Sequence, residues 1–270
     1  MLRQVAPSRG GGKGGCRQMT LNLVQALTVL VAGFAAGAIN AVVGSGTLVT
    51  FPVLLALGYP PVVANVSNTV GLVPGSLSGA YAYRHGLSGH GPLLRRLGTA
   101  SVLGALTGGV LLLKLPPGAF KAIVPVLIAL ALVLVVAQPW LARRLAAHQH
   151  EDRARASWPL LLGVFGAGVY GGYFGAAQGV LLLGLLGTLL STDLQWVNGI
   201  KNVLAALVNG VAAILFIALG MVAWPPAILL ALGSVVGGLV GGRWGRRLPP
   251  AVLRAFIVVI GLAALVKLLV

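Results

Sequence analysis

Acidic side chains are almost missing. In 270 residues there are three, Glu151, Asp152 and Asp193, against 19 lysines and arginines. The first two lie together in a polar loop, away from the apolar segments. The single cysteine, Cys16, rules out an intrachain disulfide and any multi-cysteine metal site. The four histidines, His85, His90, His148 and His150, all fall in polar loops, so no histidine or carboxylate is available inside an apolar segment to relay protons or to bind sodium. There is also no Walker loop, no nucleophile beside a base and no metal-ligand spacing. The expectation is a protein that is not an enzyme and has no cofactor and no metal.

What is present is apolar. Hydrophobic residues make up 58% of the chain and charged residues 8%, in runs far longer than a soluble core of this size uses. Forty glycines and fifteen prolines suit closely packed, interrupted helices, and barrel-type alternation is absent. The fold expected is an all-α polytopic membrane protein in a lipid bilayer. The formal charge of +16 lies mostly in short loops, where lysine and arginine set membrane orientation, so nucleic acid is not the expected partner.

Residues 1–18 carry four basic residues, no acid and five glycines; they read as a disordered tail, with Met19 a candidate start. Apolar segments then follow at about Leu21–Val43, Leu48–Leu57, Val62–Tyr83, Leu93–Leu113 and Phe120–Trp140. After a basic linker, residues 141–158, they recur at about Leu160–Phe174, Val180–Leu190, Leu194–Leu219, Ala227–Val240 and Leu253–Leu269. The halves, 19–140 and 159–270, echo each other with a period of about 133 residues. That period sets Gly44-Ser45-Gly46 against Ala177-Gln178-Gly179, Asn65 against Asn198, Asn68 against Lys201 and Ser76 against Asn209. Give or take one residue, it also sets Gly104 and Gly108 against Gly238 and Gly242, and Pro116-Pro117 against Pro249-Pro250. Five segments per half put the basic loops 84–96, 143–155 and 243–254 all in the cytoplasm; four spans with a re-entrant hairpin would force the last of them outside. The reading is therefore two inverted repeats of about five segments with broken helices, the second segment of each half being too short for a full span.

The candidate site gathers around the breaks. Gly44-Ser45-Gly46 and Gln178-Gly179 each precede a short helix, whose N-terminal amides can cradle an anion. One helical register beyond lie Asn65, Asn68 and Thr69, and in the second half Asn198, Lys201 and Asn202; residues three apart share a helix face. With Thr192 as N-cap, Lys201 lies roughly 13 Å along its helix, near mid-depth of a hydrocarbon core of about 30 Å. No carboxylate is close to it in sequence except Asp193, about two turns away. The missing counter-charge points to an anionic substrate, with the amides orienting it. The competing readings are that the glycines serve packing alone, that Lys201 snorkels to an interface, and that the protein is a membrane scaffold or assembly partner that transports nothing. Tyr170 and Tyr173 are candidates for a pathway lining, and Tyr81 and Tyr83 beside Arg84 for a headgroup belt. Pro52 and Pro74 are expected to kink their helices.

Two stretches carry a further resemblance. GFAAGAINAVVGSGTLVTFPVLLALGYPPVVANVSNTVGLVPGSLSGAYAYRHG and GVYGGYFGAAQGVLLLGLLGTLLSTDLQWVNGIKNVLAALVNGVAAILFIALGMVAW resemble the first and second repeats of the sulfite exporter TauE/SafE family. The specific parts are the G-S-G break followed by Phe51-Pro52, the Asn68-Thr69 pair, the Tyr-Gly-Gly-Tyr-Phe-Gly run and the Asn198-to-Lys201 spacing. The resemblance covers nearly everything after Leu21. It implies a multi-pass inner-membrane transporter of a small sulfur-containing anion such as sulfite or an organosulfonate, commonly in export. The chain departs from the family pattern at Ala176-Ala177-Gln178, where a glycine or alanine pair is usual, and at Thr69, near which a lysine is usual.

Overall fold

In a computed structural model the described residues are 21–87, 91–147, 157–190, 194–244 and 250–269. Among them there are ten α-helices: α1 (Leu23–Val42), α2 (Thr47–Ala56), α3 (Pro61–Ala82), α4 (Gly91–Lys114), α5 (Pro117–Ala147), α6 (Trp158–Tyr173), α7 (Gln178–Leu189), α8 (Leu194–Ala218), α9 (Trp224–Trp244) and α10 (Pro250–Leu269). The tail 1–18, linker residues 148–156, and Thr192 and Asp193 lie outside the described residues. The first part of the expected linker is helical, because α5 runs on past Trp140 to Ala147.

Local chemistry sets several helix ends. Asn22 caps α1 in a capping box: its Oδ1 accepts from the Gln25 amide at 2.8 Å, and the Asn22 amide donates to Gln25 Oε1 at 3.1 Å. Proline opens α3 at Pro61, where its missing N–H costs nothing. Pro52 and Pro74 sit inside α2 and α3.

Five helices are long and apolar enough to cross a membrane, at Leu23–Val42, Gly91–Lys114, Gly118–Trp140, Gln195–Ala218 and Trp224–Trp244. Large apolar side chains such as Leu23, Val126, Val133, Ile214 and Val259 stand exposed on the outside, while Ser45, Asn65, Ser67, Asn68 and Lys201 are buried. That is the reverse of a water-soluble protein and fits lipid around a polar centre.

Small residues let the helices touch. α1 packs on α9 and α4 on α6 by close backbone approach. A Cβ on Gly237 would stand 1.9 Å from Phe34 O, and one on Gly108 2.0 Å from Val169 O. The residues that do for α9 what Gly104 and Gly108 do for α4 are therefore Gly237 and Gly241, one position before those expected; Gly238 and Gly242 face α3 instead, against Gly75 and Ala82. The main packed pairs obey one rule. As α1 meets α9, α6 meets α4; as α3 meets α9, α8 meets α4; as α2 meets α10, α7 meets α5; and α3 meets α8, as α5 meets α10. Exchanging the halves maps this set onto itself.

Candidate functional site

Both broken helices end in the same way. At the end of α1 the Val43 and Gly44 amides both donate to Ile39 O, at 2.7 and 3.0 Å; at the end of α6 the Phe174 and Gly175 amides both donate to Tyr170 O, at 2.9 and 3.0 Å. Gly44 and Gly175 are left-handed, with φ of +87° and +76°, a conformation that glycine adopts without a Cβ penalty. The break motifs thus match as Gly44 with Gly175, two residues off the expected pairing of Gly44 with Ala177. The difference is absorbed by α7, which has 12 residues against 10 in α2.

The two breaks touch. The Gly179 amide donates to Gly44 O at 3.0 Å, and a Cβ on either glycine would lie 2.4 Å from the Cα of the other. The Gly46 amide donates to Asn40 Oδ1 at 2.6 Å, and the Gln178 amide to Gly175 O at 3.4 Å. The amides of Gly44, Gly46, Gln178 and Gly179, expected to face an anion, are thus already engaged within the protein. What these residues contribute is the meeting of the two bends. Aromatic rings close the apolar side: Phe51 lies edge-on to Phe174 at 5.2 Å, and Phe120 packs on Tyr173 at 5.7 Å. Tyr173 accordingly belongs to this packing.

Beside the contact lies a cavity of about 20 Å³, with Gly44, Gln178, Gly179, Lys201 and Asn202 in its wall, room for about one water. Asn40, Thr47, Ser76 and Asn209 complete its polar lining. Lys201 has no solvent exposure at all. Its Nζ donates to Asn40 O and Ala41 O, each at 3.1 Å, and Asn202 Nδ2 donates to the same Ala41 O at 3.3 Å. These carbonyls belong to the last turn of α1, where the helix lacks internal donors and carries partial negative charge. The charge deficit read from the sequence is therefore met in part by a helix end. An ammonium has three N–H donors, of which two go to α1.

The remaining expected residues act around this wall. Asn68 donates to Thr47 Oγ1 at 3.2 Å and accepts from Thr50 Oγ1, so it reaches the cavity through Thr47. Asn65 Nδ2 donates to Tyr173 O at 2.9 Å, tying α3 to the end of α6, while its Oδ1 is buried with no partner. The Thr69 hydroxyl bonds back to Asn65 O within α3 at 2.9 Å. Ser45 is fully buried with its hydroxyl unpartnered, as is Gln178 Nε2 at the cavity wall. Asn198 is half-buried on α8. Across the centre, Asn209 Nδ2 donates to Ser76 Oγ at 3.0 Å, a pair separated by 133 residues, which is the repeat period itself. Sequence reasoning missed Asn40 and Thr47. The signal for Asn40 was an isolated amide in an apolar run just ahead of a glycine break, the position of a helix-end bond.

A lipid-facing shell around a buried polar centre, where two helix breaks meet beside a buried lysine, defines a polytopic membrane protein built to handle something polar within the bilayer. The family model for "Sulfite exporter TauE/SafE" matches residues 29–268. The chain is 30% identical over 253 residues to the "Probable membrane transporter protein ORF9" of Sinorhizobium sp, covering 89% of this chain and 91% of that one. It is 26% identical over 242 residues to a "Probable membrane transporter protein" of Haemophilus influenzae, covering 87% and 91%. It is also 26% identical over 239 residues to the "Probable membrane transporter protein YfcA" of Escherichia coli K12, covering 87% and 86%. The chain belongs to the sulfite exporter TauE/SafE family of membrane transporter proteins.

Proposed function

We propose that this protein carries a small sulfur-containing anion, sulfite or an organosulfonate, across the inner cell membrane, in the export direction, by alternating access between two inverted halves. The observation that carries the proposal is the cavity between the two breaks, with a fully buried Lys201 in its wall and one ammonium donor left after its two bonds to α1. Lys201 supplies positive charge to the anion. Asn202 and Gln178 supply amide donors beside it, and Ser45 a hydroxyl at the bend. Asn68 positions Thr47 at the wall; Asn65 ties α3 to the end of α6, and Thr69 and Asn198 lie on the helices that carry the set. A cavity fit for one water is smaller than a sulfite ion, so the halves must part to admit it. The family's own name supports a sulfur oxyanion as the cargo class.

A packing-only scaffold, the rival reading, calls for a filled, dry interior at Lys201, and a polar-walled cavity there weighs against it. The reading is tested by efflux of sulfite, sulfoacetate and related anions from proteoliposomes holding the purified chain. Flux of at least one of them clearly above protein-free vesicles is expected. Flux at the vesicle background for every anion, in both directions of gradient, would favour the scaffold.

A further inference from the structure

The most deeply buried cation described in this protein is held by main-chain oxygen. The chain leaves α1 through a left-handed glycine, so the Gly44 amide reaches back to Ile39 O and the Gly46 amide goes to the Asn40 side chain. The carbonyls of Asn40 and Ala41 receive Lys201 Nζ, both at 3.1 Å. Two convergent carbonyls at the negative end of a broken helix are a ligand set for a monovalent cation, the kind of place where transporters with discontinuous helices hold a coupling ion. The other broken helix is not built alike. The Lys201 counterpart, Asn68, is neutral and turned to Thr47 and Thr50, and the last α6 carbonyl, Tyr173 O, takes the Asn65 amide instead.

We infer that the C-terminus of α1 is a monovalent-cation site, occupied in this chain by the tethered ammonium of Lys201, and that a small free cation of the ammonium or alkali class binds there when the lysine side chain is cut back. Asn202, which shares Ala41 O, orients that carbonyl. The inference deepens the transport reading and rests on it for one consequence: with its cation built in, the protein needs no dissolved sodium or potassium to move its anion.

The test uses the purified full chain as wild type, Lys201→Ala and Lys201→Met. Thermal unfolding is followed in ammonium, methylammonium, sodium and choline chloride at one ionic strength. Lys201→Ala opens a path from the cavity to the carbonyls and is expected to show a saturable rise in Tm in ammonium or methylammonium over choline. Wild type and Lys201→Met, whose side chains fill the path, are expected to show none. A Lys201→Ala protein that responds no more than wild type, or that aggregates in all four salts, overturns the site. In proteoliposomes, wild-type efflux is expected to agree within about twofold in sodium, potassium and choline media, and a tenfold requirement for sodium also overturns it. A wild type that moves no anion sinks the transport reading and leaves the unfolding result standing.

Discussion

At the scale of single residues the decisive question is how a lysine survives inside a membrane protein. Placing it at mid-bilayer costs about 2.5–3.5 kcal/mol on insertion scales. Two hydrogen bonds from a charged donor, at about 1.5–3 kcal/mol each, are of the size needed to offset that. The α1 carbonyls can therefore hold Lys201 in the resting protein, and on the transport reading proposed above an arriving anion would engage the remaining donor. Asn68 acts through its neighbours. Asn68→Ala removes the donor to Thr47 Oγ1 and one of the two acceptors of Thr50 Oγ1, which keeps Gly46 O at 3.3 Å; the lost buried bonds are expected to lower stability by about 1–3 kcal/mol, read as a fall in Tm, and an unchanged Tm would show the brace to be idle. The sequence made Lys201 legible, because a lone cation in an apolar run has few explanations. It left Lys201's partners hidden, since carbonyl acceptors exist at every residue and only the fold decides which ones converge.

At the scale of elements the glycine breaks carry the architecture. Gly44 is left-handed and in contact with Gly179, so Gly44→Ala meets two obstacles: a conformational penalty of about 1–2 kcal/mol, and a Cβ 2.4 Å from a backbone atom. We expect it to lose folded protein or transport altogether, judged by monodispersity in detergent and by efflux. Ala177 is the opposite case. It is a non-glycine residue at φ 59°, just before α7, and Ala177→Gly is expected to leave Tm unchanged or raise it, since the left-handed strain is relieved while the neighbouring bonds stay; a Tm drop of several degrees would contradict that geometry. Helix boundaries were legible almost throughout, because proline, glycine and basic punctuation coincide with helix ends. The register of the repeat at the breaks was not. A shift of two residues is invisible where both motifs are merely rich in small residues, and left-handed backbone, which settles it, leaves no unique mark in the sequence.

At the scale of the whole molecule the packing of one half reappears in the other, and Ser76 meets its own repeat partner, Asn209, at 3.0 Å. On the proposed inverted reading, five segments per half would give the halves opposite orientations in the membrane. In a Cys16→Ser background, Arg84→Cys and Arg243→Cys are expected to react with a membrane-impermeant thiol reagent from the same side, and Lys114→Cys from the other; labelling of Arg84→Cys and Arg243→Cys from opposite sides would replace inversion by four spans and a hairpin. The duplication was readable from sequence because it repeats chemistry at a fixed spacing. The closing of the two breaks upon each other was not, since contacts between distant segments follow from the packing of all ten helices. The account as a whole turns on whether the ammonium at the centre handles the transported ion, and sulfite efflux from proteoliposomes carrying Lys201→Met beside wild type measures that most directly. A loss of about tenfold or more, equal to about 1.4 kcal/mol or more, in a variant that keeps the wild-type elution profile is the predicted result; equal efflux from the two proteins would contradict it.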